Sequence, residues 1–229
     1  MLLLLFFGTL GISLIASARV KSNYARYSRL AASSGLTGAQ AAAEILRRAG
    51  IHDVEIRAQD GMLTDHYDPG HRRLVLSRDN YHGRSVAALG VSAHEAGHAL
   101  QHARAYAPLQ LRMAAVGVTS VASQIVTWLP LLGLFTGVIR PDACFAILAL
   151  GWGVIMAFNL VTLPVEFDAS ARAKRLLLET GMVAPGAETD GVNRVLNAAA
   201  WTYVAAFLTS LAYFLWHVLP FLTGARDDD

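Results

Sequence analysis

Four stretches of this chain carry no Asp, Glu, Lys or Arg: residues 1–18, 113–139, 143–165 and 195–225. Each is mainly apolar and reaches the roughly 18 residues that a helix needs to cross a bilayer core. The pattern predicts four transmembrane helices. Between them the periodicity changes. Residues 36–49, LTGAQAAAEILRRA, have helical spacing, a capping-box pair in Thr37 and Gln40, and a stop at Gly50. VEIRA (54–58) alternates apolar and polar positions, as a half-buried strand does, and RLVLS (73–77) predicts a second strand. Asp60-Gly61 and Asp68-Pro69-Gly70 mark turns. Ser85 to Ala105 is rich in Ala and Leu, is free of proline, and predicts another helix.

The expected fold is therefore a mainly α membrane protein, with about four transmembrane helices plus a small α+β minidomain of helix, strand, strand and helix. Residues 1–18 form an N-terminal anchor, and 19–112 the minidomain. Residues 113–165 form a helical hairpin turned at Arg140-Pro141-Asp142. Residues 166–194 form a helix and loop, and 195–229 a last span with an acidic tail. Pro164 is expected to close the third span or to start the next helix at its first position. That helix, from Val165, should end at Gly181 and leave 182–192 as a loop.

Composition agrees with a membrane protein. The chain is 54% hydrophobic and only 16% charged, against about 25% charged for soluble domains. Residues 19–112 hold thirteen of the nineteen Lys and Arg, and 166–194 hold four. The positive-inside rule places both segments in the cytoplasm of a bacterial plasma membrane, with both termini outside. Ala16-Ser17-Ala18 looks like a cleavage site, but the basic residues follow the apolar run instead of preceding it. The run is expected to remain as an anchor. A net charge of +2 does not point to nucleic acid, and the basic residues beyond the first span suit anionic lipid. The one cysteine, Cys144, rules out an internal disulfide and reads as a packing residue.

The chemistry lies in SAHEAGHALQH, residues 92–102. His94, Glu95 and His98 spell H-E-x-x-H. On a helix, residues four apart share a face, so two imidazoles can grip one metal ion. Glu95 is displaced round the helix and can take a proton from water activated by that ion. A catalytic zinc takes three protein ligands and leaves one position open. His102 continues the same face, but eight residues of helix rise about 12 Å, while Zn–N bonds are about 2 Å. Its plainer reading is a polar helix end. Glu166 is the better third ligand. It stands at the end of the third charge-free stretch, on the predicted side of His94 and His98, and is one of three glutamates after Glu95.

LTDHYDP, YHGRS, AHEAGHALQHA and LPVEFDAS together resemble the YugP-type neutral zinc metallopeptidases of bacteria, within the gluzincin-like membrane peptidases. The resemblance spans nearly the whole chain. It implies Zn²⁺ as cofactor, His94, His98 and Glu166 as its ligands, Glu95 as general base, and a polypeptide substrate. Related heat-shock membrane proteases carry an Asp four residues after the ligand Glu. Here that position is Ser170 and Asp168 lies two residues on, so either can support a zinc-bound histidine. Candidates for an oxyanion donor are His66, Tyr67 and His82, with Tyr81 and Arg84 nearby. The strand at 73–77 is a candidate edge for an extended peptide. His217 reads as a packing histidine of the fourth span. The leading expectation is a membrane zinc endopeptidase. Alternatives are a catalytically silent scaffold stapled by zinc, and a site-2-type intramembrane protease. The latter needs an Asp ligand in an N-x-x-P-type segment, whereas Asn159 and Pro164 stand at the wrong spacing. A homo-oligomer or a membrane partner protein is left open.

Overall fold

A computed structural model describes residues 2–62, 64–137 and 139–223, with backbone only at 134 and 135. The acidic tail expected outside the membrane lies outside the described residues. In chain order the elements are α1 (Leu2–Tyr27), α2 (Gly38–Arg48), β1 (Glu55–Gln59), β2 (His66–Asp68), β3 (Arg73–Ser77), α3 (Arg78–His82), α4 (Val86–Ala103), α5 (Ala107–Thr136), α6 (Pro141–Glu179) and α7 (Ala187–Leu222). Four of them, α1, α5, α6 and α7, are long and apolar enough to cross a membrane. Leu3, Leu4 and Leu150 are each at least 70% exposed, which suits side chains that meet lipid in place of water.

The chain divides into two compact units. One comprises Met1–Leu14, Leu111–Leu163 and Tyr203–Asp229. Within it Trp152 stacks on Tyr213 at 4.5 Å, and the Asn159 amide donates to Ser210 Oγ and to the Ala206 carbonyl. His217 packs its ring against Phe145 and places Nδ1 2.7 Å from the Tyr213 carbonyl. It fills a packing position, as expected.

The other unit comprises Ile15–Gln110 and Pro164–Thr202. Its core joins Ile45 and Leu46 of α2, Leu74 and Leu76 of β3, Leu89 and Leu100 of α4, Leu177 of α6 and Leu196 of α7. Leu74 and Leu76 are fully buried because alternate residues of a strand face the same side. Helix α2 starts as its sequence predicts: Thr37 Oγ1 accepts from the Gln40 amide, and Gln40 Oε1 accepts from the Thr37 amide. Gly50 then takes φ +72°, a left-handed conformation that glycine adopts without steric cost.

Three expectations are corrected. The minidomain sheet has three strands, not two, in the order β1-β3-β2. β1 runs parallel to β3, and β2 is antiparallel to it with Tyr67 opposite Leu74. β3 is thus central, with both edges taken, and residues 73–77 cannot offer an edge to a peptide. Pro164 neither closes nor starts a helix, because α6 runs through it without a break. Its ring removes one backbone donor and leaves the rest of the ladder in place. α7 begins inside the expected loop, at Ala187, with Glu188 and Asp190 in its first turn, where the helix dipole favours acidic groups.

Sequence reasoning also missed a buried polar network. Asp65 accepts from the Ser77 amide and hydroxyl and from Asn80 Nδ2, and Asn80 Oδ1 accepts from the Tyr24 hydroxyl. It fixes the residue just before β2 against β3, α3 and α1. The Thr37 cap gives a direct test of local stability. Thr37→Ala should cost about 1 kcal/mol, read as several-fold faster hydrogen exchange of the α2 amides, with the amides of α4 unchanged.

Candidate metal centre

The functional helix α4 is capped by Ser85, whose Oγ accepts from the Ala88 amide. Eight of its 18 residues are Ala or Gly, and 13 of the 18 are buried. Small side chains let other helices approach its backbone closely. Gly97 is the decisive one. A Cβ there would lie 2.9 Å from the Ala169 carbonyl oxygen of α6 and 3.2 Å from its Cα. The Gly of H-E-A-G-H is therefore where α6 crosses the motif.

That crossing brings Glu166 to the histidines. Glu166 Oε2 stands 3.2 Å from His94 Nε2 and 3.6 Å from His98 Nε2. The three ligand atoms lie within 4.8 Å of one another, and among the described residues no other His, Cys, Asp or Glu group clusters in this way. Ligand atoms around one tetrahedral zinc stand roughly 3.4 Å apart, given bonds of about 2.0–2.2 Å. The observed spacings bracket that value, so the donor set fits the ion. Glu166 is 2% exposed, whereas the two imidazoles keep 12% each. The histidine rings are therefore the more accessible side of the cluster.

The electrostatics point the same way. Burial works against a charge on His98. Its hydrogen bond to Glu166 and the charges of Glu95 and Glu166 outweigh that, and the imidazole is held above its ordinary range. Carboxylates that favour a proton's charge at this nitrogen also favour a metal cation there. Glu95, 8% exposed, lies on the same helix, and its charge acts on His98.

The outer nitrogens of both rings are engaged. His94 Nδ1 is 3.2 Å from Ser170 Oγ. His98 Nδ1 is 2.9 Å from Gln101 Oε1. Gln101 Nε2 donates to the Val165 carbonyl and to Asp168 Oδ2, both at 2.8 Å. Arg172 holds Asp168 with two hydrogen bonds. Of the two expected supports, Ser170 thus contacts a histidine directly, and Asp168 acts through Gln101. Gln101 itself was missed. Its only signal is its place one turn beyond His98.

The other named residues stand apart from this cluster. His102 Nδ1 is 2.9 Å from the Tyr67 hydroxyl, tying β2 to the end of α4. Burial pushes the Tyr67 phenol up, helped by the charge of Asp68. His66 is exposed and its Nδ1 lies 2.9 Å from the Thr64 carbonyl. His82 is exposed and packs edge-on against Tyr81.

A family model described as "Putative neutral zinc metallopeptidase" matches residues 2–222. The chain is 44% identical over 225 residues to "Putative membrane protease YugP" of Bacillus subtilis (strain 168), with 96% of each chain covered. No solved structure matches the chain.

The Gly97 contact carries a prediction. Gly97→Val should weaken zinc binding by roughly ten-fold or more, since overpacking of about 1–3 kcal/mol falls where α6 meets the motif. Competition against a chromophoric chelator measures it. Parental affinity in that variant would show that the close crossing is not needed.

Proposed function

Since the chain belongs to the neutral zinc metallopeptidase family, we propose that it is an integral-membrane zinc endopeptidase with His94, His98 and Glu166 as ligands and Glu95 as general base. The observation that carries this reading is the meeting of three ligand atoms from α4 and α6, about seventy residues apart in sequence. Three protein ligands suit catalysis, since a structural zinc site is closed by four. This favours a peptidase over a zinc-stapled scaffold.

Held by His94, His98 and Glu166, zinc would supply Lewis acidity that lowers the pKa of water towards neutrality and polarises a carbonyl. Glu95 removes the water's proton and hands it to the leaving amine. Glu166 neutralises part of the cation's charge from a buried position. Ser170 and Gln101 hold the two imidazoles in place. Among the described residues β2 pairs on one side only, with β3, and Tyr67 ties it to the zinc-binding helix. An extended polypeptide added to its open side would run beside α4. Of the oxyanion candidates His66, Tyr67 and His82, Tyr67 is the one with a hydrogen bond to α4, through His102.

The substrates are polypeptides at or near the bilayer, and the site faces the cytoplasm. Support for this comes from the charge pattern of 19–112 and 166–194, and from Glu166 lying on the same helix as the apolar run 143–165.

Two measurements test the reading. Glu95→Gln should retain zinc and lose at least about a thousand-fold in peptidase rate, whereas Glu166→Ala should lose zinc, because its ligand set is broken. Zinc stoichiometry unchanged in Glu166→Ala would remove it as the third ligand. For orientation, a cysteine placed by Arg57→Cys in a Cys144→Ser protein should react with a membrane-impermeant maleimide in inverted vesicles and stay unlabelled in intact cells. Labelling in intact cells would reverse the assignment.

A further inference from the structure

Gln101 is fully buried, and its amide is bonded at both ends. The two ends of an amide differ only in what they can bond: the oxygen accepts and the nitrogen donates. At one end stand the Val165 carbonyl and the Asp168 carboxylate, 2.8 Å away, and both can only accept. That end must be the nitrogen. The other end, 2.9 Å from His98 Nδ1, must be the oxygen, so His98 Nδ1 must carry a hydrogen and donate it. A neutral imidazole with its proton on Nδ1 has its lone pair on Nε2, the atom that faces Glu166.

We propose that Gln101 is a positioning residue that sets the tautomer and ring orientation of His98, and that Val165 and Asp168 key its amide for this task. This rests on the zinc reading above. The supporting chain is an amide instead of the carboxylate that commonly supports a zinc-bound histidine. An amide leaves the ligand neutral and adds no second negative charge beside Glu166. The negative charge sits one step further out, on Asp168, where Arg172 balances it. The same amide also bridges α4 to the α6 backbone at the residue just before Glu166. The orientation of one ligand and the placement of another are thus set by a single side chain.

The test uses the full-length protein in detergent and reads zinc affinity by chelator competition, with elution profile and helix content as folding controls. Gln101→Met keeps the shape and removes all three amide bonds, and should bind zinc about 10- to 100-fold more weakly. Gln101→Glu should also bind weakly, since the new carboxylate faces the Val165 carbonyl and Asp168. Adding Asp168→Asn supplies a donor to that carboxylate, and the double variant should return to within about three-fold of the parent, a coupling read from the double-mutant cycle. Parental affinity in Gln101→Met would overturn the proposal. So would a Gln101→Glu, Asp168→Asn protein no tighter than Gln101→Glu alone, whether or not Gln101→Met folds. A parent that binds no zinc would instead overturn the metal site itself, so the two failures are distinguishable.

Discussion

Everything about this centre follows from one buried carboxylate. Glu166 is 2% exposed, and removing an ionised carboxylate from water costs several kcal/mol unless partners replace the lost solvation. The two imidazole nitrogens at 3.2 and 3.6 Å are those partners, and a bound cation completes the compensation. The arrangement requires two helices to cross so closely that one residue at the crossing has no side chain. Gly97 provides that, and the Ala-rich faces on either side extend it. Packing brings the charges together, and the charges make the close packing worth its desolvation.

The same constraint explains why polar atoms recur along α4. A helix buried on nearly every side has little use for serine or glutamine unless each has a bonding task. Gln101 has three partners, and Ser85 holds the first turn. Ser92 is the exception: it is fully buried, its Oγ has no hydrogen-bond partner, and the structure gives no physical account of it.

What the sequence made legible was local. The four charge-free runs express length and apolarity, the cap at Thr37 a side-chain pair three residues apart, the stop at Gly50 one residue's backbone freedom, and the strand at 73–77 a period of 2. H-E-x-x-H was legible because a helix converts spacing into a shared face. Glu166 was legible through its position after an apolar run and through the resemblance. The rest depends on non-local partners. β2 is three residues long, too short for an alternating pattern, and exists because β3 pairs with it. Pro164 lies within a continuous helix because the ladder on either side survives the loss of one bond. Gln101 was not singled out, since a sequence does not say which polar side chain of a helix meets another helix.

The division of labour in the unit carrying the centre follows from where its restraints end. α4 holds two ligands at its middle, and its last turn holds β2 through His102 and Tyr67. The residue just before β2, Asp65, is held by Ser77 and by Asn80, which in turn accepts from Tyr24 of α1. A strand of three residues would fray if left to its own pairing. Here it is pinned at its middle residue and just before its first, while among the described residues its outer edge carries no neighbouring strand. β2 is therefore tied to the helix that carries His94 and His98. A shift in either would be felt by both.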